Sequence, residues 1–224
     1  MERCDAAVES FRIRRIISPR IGITLAISCI IVLENGRNGV QDNSLTMKEI
    51  YLLLGSNRGD REAIISQAVE MVGTIAGKVL RSSHLYSTDP WGFEDATPFL
   101  NLALEIESDL DPDHLMEQLL VIETRLGRIR PFDGCGCGIG HAEKIGDPPA
   151  YESRTIDIDI LFVSNRLVFT NRLMVPHPRM HERRFALVPM CELAPGFIHP
   201  LLKKNMTTLL RECNDQAGVT VIEK

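Results

Sequence analysis

Residues 154–162 read Arg-Thr-Ile-Asp-Ile-Asp-Ile-Leu-Phe, and this alternation leaves little freedom in how the chain can fold. Side chains two apart on a β-strand share a face. Ile156, Ile158 and Ile160 therefore enter a core, while Asp157 and Asp159 stand together on the opposite face. Carboxylates at this spacing have Cα atoms roughly 6–7 Å apart. Ionised together in a partly shielded site, they repel by about 2–3 kcal/mol at an effective dielectric of about 20. A divalent cation between them reverses the sign of that interaction, and hard carboxylate oxygens suit Mg²⁺. The solvated side of an edge strand would show the same alternation. The flanking Arg154, the apolar opposite face and an arginine-rich neighbourhood favour a metal site.

Positive charge gathers around this strand although the chain as a whole is acidic. A net charge of −5 argues against a general nucleic-acid binder. Between Glu123 and Arg184 there are nine arginines and a single lysine, Lys144. The planar guanidinium fork suits bidentate phosphate recognition, so an anionic small substrate fits. A length of 224 residues with 44% hydrophobic content suffices for one well-cored domain. Cys4, Cys29, Cys135, Cys137, Cys191 and Cys213 show no disulfide framework and read as reduced thiols of a cytoplasmic protein.

The first 46 residues stand apart. Arg12, Arg14, Arg15 and Arg20 precede an apolar run over residues 21–33. That run is too short for a membrane span, which needs about 20 residues. No convincing small-residue cleavage site follows it. Residues 1–46 are therefore expected to be a leader or a mis-called start, with the folded domain at residues 47–224 and no stable membrane association.

From Met47 the pattern alternates between the two periodicities. Residues 50–54 form a short apolar run ending at Gly55, as in a buried strand. Asp60 is a plausible N-cap for a helix with Ile64, Ala68, Met71, Val72 and Ile75 on one face, ending near Gly77. Residues 78–86 read as a second strand. Residues 99–107 read as a third, with Leu100, Leu102, Leu104 and Ile106 alternating against Phe99, Asn101, Ala103 and Glu105. Asp111-Pro112 starts a second helix whose stripe is Leu115, Leu119, Ile122 and Leu126, and Gly127 ends it. With the aspartate strand, the order is β-α-β-β-α-β. This predicts an α+β fold, a ferredoxin-like antiparallel sheet with both helices on one face and C-terminal additions. Phe99 and Asn101 then look onto the other face, left available for a ligand. The tail should add a hairpin after Leu167, short helices over residues 183–193 and 206–213, and a last strand at 219–222.

Four segments carry possible chemistry. Gly55-Ser56-Asn57-Arg58-Gly59-Asp60 lacks the Gly-Lys-Ser/Thr ending of a P-loop and reads as a strand-to-helix turn. Thr88-Asp89-Pro90-Trp91-Gly92 holds the only tryptophan and reads as a loop anchored by Trp packing, with a flat-ligand lining as the functional alternative. The loop at residues 131–151 contains Cys135, Cys137 and His141, with no fourth zinc ligand at a recognised spacing, and reads as a glycine-rich lid. Residues 175–185 combine a stiff Val-Pro-His-Pro turn, His177 and His181, and Arg179, Arg183 and Arg184, a pattern suited to a phosphate clamp.

In this order and spacing, Leu54-Gly55-Ser56-Asn57, Tyr86-Ser87-Thr88, Phe99-Leu100-Asn101, Ile122-Glu123, Leu126-Gly127-Arg128-Ile129-Arg130, Arg154-Thr155-Ile156-Asp157-Ile158-Asp159 and Val175-Pro176-His177 resemble one family. That family is the 6-hydroxymethyl-7,8-dihydropterin pyrophosphokinases of folate biosynthesis, and the resemblance runs from Met47 to about Pro200. It implies transfer of the terminal diphosphate of ATP to the pterin alcohol, releasing AMP, in a monomer or weak dimer without nucleic acid. Asp157 and Asp159 would hold two Mg²⁺, with Arg128 and Arg154 meeting developing phosphate charge. Glu123, Arg130, His177 and Arg183 would lie on the ATP side. Phe99 and Phe185 would flank the pterin beside Thr88, Trp91, Gly92 and Asn101. This chain departs from the family pattern at Tyr151-Glu152-Ser153, at Asp89 and at Pro178. A non-catalytic nucleotide- or metal-sensing module is the competing expectation, and it would not need carboxylates and arginines converging on one site.

Overall fold

The computed structural model describes residues 48–89, 97–129 and 153–222. Along the chain these form β1 (Lys48–Ser56), α1 (Arg61–Ile75), β2 (Lys78–Ser82), β3 (Tyr86–Thr88), β4 (Phe99–Ser108), α2 (Pro112–Arg125) and β5 (Asp157–Val163). There follow a small hairpin of β6 (Val168–Phe169) and β7 (Met174–Val175), a 3-10 turn over Met180–Glu182, α3 (Arg184–Leu193), α4 (Met206–Glu212) and β8 (Val219–Val221). The main sheet runs β5-β1-β4-β3-β8, with β2 also on β4, and every pairing is antiparallel. Among the described residues, no helix is long and apolar enough to cross a membrane.

The helix starts follow from side-chain capping. Asp60 Oδ1 accepts the Ala63 N–H at 3.2 Å, and Asp111 Oδ1 accepts the His114 N–H at 3.1 Å with Pro112 at the first helical position. Each cap satisfies an amide that the helix itself leaves without a partner. One core lies under α1 and α2. Ile50, Leu52 and Leu54 of β1, Leu100, Leu104 and Ile106 of β4, and Ile158 and Ile160 of β5 meet Ile65, Ala68, Val72, Leu115, Leu119 and Ile122. The alternation of both long strands is thus realised, with Ile156 buried just before β5.

Two expectations need correction. The strand foreseen over residues 78–86 is broken at Ser83-His84-Leu85. Ser83 keeps contact with β4 through its N–H to Ala103 O at 2.9 Å, whereas His84 turns to α3. The His84 N–H donates to Glu192 Oε2 at 3.0 Å, and its Nδ1 lies 2.6 Å from Oε1. A carboxylate 108 residues away thus redirects the strand. The second correction concerns the ligand face, which is not left open throughout. α3 and α4 cover part of it, packing Leu187, Met190, Met206 and Leu209 against Tyr51, Leu53, Leu161 and Phe162. Strict alternation in β5 also ends at a bulge. Ile160 pairs with Leu52 but Phe162 pairs with Tyr51, so Leu161 and Phe162 both face α3 and α4.

His199 lies beneath this second layer, 2% exposed and edge-on to Phe162 at 5.4 Å. Its Nδ1 accepts the Leu201 and Leu202 N–H groups, each at 3.2 Å. Burial, with His181 nearby, lowers its pKa to about 4 from the usual 6.5. The unfolded chain therefore takes up this proton first as pH falls. The fold keeps this stability above pH 6.5 and loses it between 6.5 and about 4. Thermal melts across that range should show a falling Tm. His199→Asn, whose Oδ1 can replace Nδ1 as acceptor, should flatten part of the fall. An unchanged slope in the variant would contradict this role.

Candidate active site

The open part of the second face is a cleft of about 570 Å³, including its mouth. A single row across the sheet forms its floor. Asp157 of β5 pairs with Gly55 of β1, and Gly55 pairs with Asn101 of β4. A Cβ at Gly55 would stand 3.1 Å from Asn101 Oδ1 and 4.0 Å from the Phe99 ring. The absence of that side chain makes the floor low enough to admit a flat ring. Asn101 is 3% exposed and donates through Nδ2 to Thr88 Oγ1 at 2.7 Å. This bond fixes the amide orientation and turns its carbonyl toward the Gly55 side. Leu53, Thr88, Asp89, Phe99 and Phe185 complete this end, and Arg154, Asp157, Asp159 and Arg183 line the other.

The acidic end is organised around Asp157. Its Oδ1 accepts from Arg128 Nη1 and its Oδ2 accepts from Arg154 Nη1 at 2.6 Å. Arg128 Nη1 also donates to Glu123 Oε1 at 2.8 Å and to Ile156 O at 3.1 Å. Burial works against the Arg128 charge, but Asp157 and Glu123 outweigh it and raise its pKa. Asp159 lies on the same face. Burial and the neighbouring Asp157 push its carboxyl up to about 7, against the opposing influence of Arg183, Arg154 and Arg128. Additional positive charge would therefore stabilise the ionised pair. Among the described residues, no three His, Cys, Asp or Glu side chains converge as in a protein-only metal cage. Two carboxylates in an open cleft suit Mg²⁺, which is commonly held by one or two carboxylates together with substrate phosphates and water.

Most of the residues singled out in the sequence meet here. Thr88, Phe99, Asn101, Arg154, Asp157, Asp159, Arg183 and Phe185 line one cleft, with Arg128 bonded to Asp157 behind it. Phe185 also stacks loosely with Arg183, whose Cζ lies 5.6 Å from the ring centroid. His177 sits close by, lowered to about 4 by burial and by the charges of Arg183 and Arg179, so its ring is neutral. Glu123 is 2% exposed, and its Oε1 accepts the Ile158 N–H at 2.8 Å as well as Arg128. These contacts hold β5 and Arg128 from below the cleft. Trp91, Gly92, Arg130 and the Cys135, Cys137 and His141 loop lie outside the described residues, as do residues 1–46.

The sequence did not disclose Asn57. Its Oδ1 accepts the Arg154 N–H at 2.7 Å, its own N–H donates to Arg154 O at 3.2 Å, and its Nδ2 donates to Ser153 Oγ at 3.1 Å. The side-chain amide thus replaces a missing strand neighbour and fixes the backbone from which Arg154 reaches Asp157. No local pattern could reveal a partner 97 residues away. Gly55 and Asp89 were not named as site residues either, although both stand in segments that the sequence singles out, and Asp89 falls in the loop read alternatively as a flat-ligand lining.

The model of the 7,8-dihydro-6-hydroxymethylpterin-pyrophosphokinase (HPPK) family matches residues 51–195. A 2-amino-4-hydroxy-6-hydroxymethyldihydropteridine pyrophosphokinase of Porphyromonas gingivalis is 39% identical over 155 residues, covering 69% of this chain and 95% of that protein. The Bacillus subtilis protein of the same name is 40% identical over 144 residues, 64% of this chain and 76% of its own length. In the solved structures, wild-type Plasmodium falciparum HPPK-DHPS superposes with a TM-score of 0.56 at 14% identity, over 74% of this chain and 44% of that one. The chain thus spans less than half of the solved chain, and the likeness is one of fold. The family match and the two relatives establish that this chain belongs to the 7,8-dihydro-6-hydroxymethylpterin pyrophosphokinase family.

Proposed function

We propose that residues 47–224 transfer the terminal diphosphate of ATP to 6-hydroxymethyl-7,8-dihydropterin, giving AMP and the pterin diphosphate in folate biosynthesis. The family membership supports this reaction. The observation that carries it to particular residues is one cleft with a low floor beside two phenylalanine rings at one end and two carboxylates with three arginines at the other. The sheet order β5-β1-β4-β3 supports a ferredoxin-like assignment.

In this reading the pterin lies over Gly55 between Phe99 and Phe185, with Asn101 and Thr88 at its polar edge, and the family resemblance adds Trp91 and Gly92 to its binding residues. Its hydroxymethyl group points along the floor toward Asp157. The hydroxyl oxygen attacks the β-phosphorus, and the bond from that phosphorus to the oxygen bridging it to the α-phosphorus breaks. AMP leaves with that oxygen, and Asp157 is placed to accept the hydroxyl proton. Asp157 and Asp159 would hold two Mg²⁺, and the metal would supply positive charge that neutralises the phosphates during transfer. Arg128 and Arg154 already converge on Asp157, and in this reading they meet the charge that develops on the transferring group in the transition state. Arg183 and His177 would face the nucleotide, and the family resemblance assigns Arg130 to the same task. Glu123 serves that side indirectly by steadying Arg128. A monomer or weak dimer acting in the cytoplasm is consistent with this reading.

A coupled assay for AMP with the pterin alcohol and Mg-ATP should register turnover, and chelation of the metal should abolish it until Mg²⁺ is returned. No AMP above background would overturn the assignment. Asp157→Ala and Asp159→Ala should each lower kcat by at least about a hundredfold while the melt stays cooperative; near-normal turnover in either would refute the metal role. Gly55→Val tests the floor separately. It should raise the pterin KM by about tenfold or more, because the added branches meet Asn101 and Phe99. An unchanged pterin KM would place the ring elsewhere.

A further inference from the structure

The last described stretch of the chain lies beyond the 51–195 match, yet it touches both walls of the cleft. α3 begins at Arg184, and its capping residue, Arg183, makes no side-chain cap hydrogen bond. A guanidinium has no acceptor to offer. The acceptor comes from the tail, where Asp215 Oδ2 takes the Arg184 N–H at 2.8 Å. A carboxylate here also opposes the positive end of the helix dipole. The other oxygen, Oδ1, accepts the Ala217 N–H at 2.9 Å, which holds the carboxylate in this orientation. Arg183 and Phe185, immediately beside this cap, form one wall of the cleft.

One residue beyond Ala217, the same tail grips the opposite wall. The Gly218 N–H donates to Asp89 Oδ2 at 3.1 Å, and the Asp89 N–H donates to Gly218 O at 3.3 Å. β8 then continues alongside β3, pairing Thr88 with Val219 and Ser87 with Thr220. Thr88 and Asp89 both line the cleft, and Thr88 orients Asn101. Four consecutive residues therefore join the start of α3 to the end of β3, at the opposite end of the helix from the Tyr86–Glu192 hydrogen bond.

The geometry points to residues 215–218 as a staple that sets the spacing between the Phe185 wall and the Thr88–Asp89 wall, with Asp215 a positioning residue for pterin binding. This rests on the pterin reading of that end of the cleft. The staple touches no reacting atom and bonds to Arg184 and Asp89 beside the cleft, so it acts on how well the ring is gripped.

The test is steady-state AMP formation by the full chain with Asp215→Ala, Asp215→Asn and Gly218→Ala. The asparagine keeps one acceptor, its Oδ1, which can cap the Arg184 N–H, while its Nδ2 is a donor and cannot take the Ala217 N–H. An alanine Cβ at position 218 would stand 2.9 Å from Asp89 Oδ2 and displace it. Asp215→Ala and Gly218→Ala should each raise the pterin KM about fivefold, with kcat and the Mg-ATP KM kept within about twofold. Asp215→Asn, which keeps the helix cap and loses only the Ala217 bond, should give a pterin KM between those of the parent and Asp215→Ala. Parental pterin KM in both alanine variants overturns the staple, as does a loss of kcat that asparagine does not rescue. If Asp215→Ala fails to give a cooperative melt, Gly218→Ala decides alone on the same criterion. An active parent with unmoved variants removes only the staple, whereas a parent that forms no AMP removes the pterin reading and the staple with it.

Discussion

The site depends on how one carboxylate is compensated. Asp157 stands on the same strand face as Asp159, where two ionised groups repel, and the protein answers with Arg128 and Arg154 on its two oxygens. Each arginine is then anchored from elsewhere. Arg128 is held by Glu123 and by the carbonyl of Ile156, and Arg154 by the amide of Asn57 on its backbone. Because Glu123 also takes the Ile158 N–H, the edge strand, the end of α2 and the turn after β1 are locked to one another through this charge cluster. A cluster of this kind contributes little to net stability, since desolvating its charges offsets much of their attraction. Its effect is to fix where charged groups stand before substrate arrives.

The fold around that cluster was largely written in local pattern. The alternations Leu100-Leu102-Leu104-Ile106 and Ile156-Ile158-Ile160 gave both sheet faces, and Asp60, Asp111 and Gly127 marked helix ends, because these signals act over four residues or fewer. Tertiary partners decided the rest. Glu192 of α3 draws His84 out of the strand that its neighbours favour. Covering of the second face by α3 and α4 could not be read from the strands, since Tyr51 and Leu53 look the same whether they face a helix or a ligand.

The site was legible where residue type itself implies chemistry. Paired aspartates and clustered arginines announce an anionic, metal-assisted substrate, and Phe99 with Asn101 fell on the ligand face by strand parity alone. Residues whose role is purely geometric were silent. Gly55 matters for the side chain it lacks, Asn57 for copying a backbone, and Asp215 for capping a helix 31 residues earlier.

The bulge at Leu161 has a consequence for how this enzyme can change over time. It divides β5 into two half-registers, one presenting Asp157 and Asp159 and the other sending Phe162 toward Tyr51 and Phe197. Repacking beneath the C-terminal helices alters the second half without sliding the first along β1. Drift in the tail layer is thus absorbed at one irregular residue, and lineages can remodel that layer while the separation of the two aspartates is inherited intact.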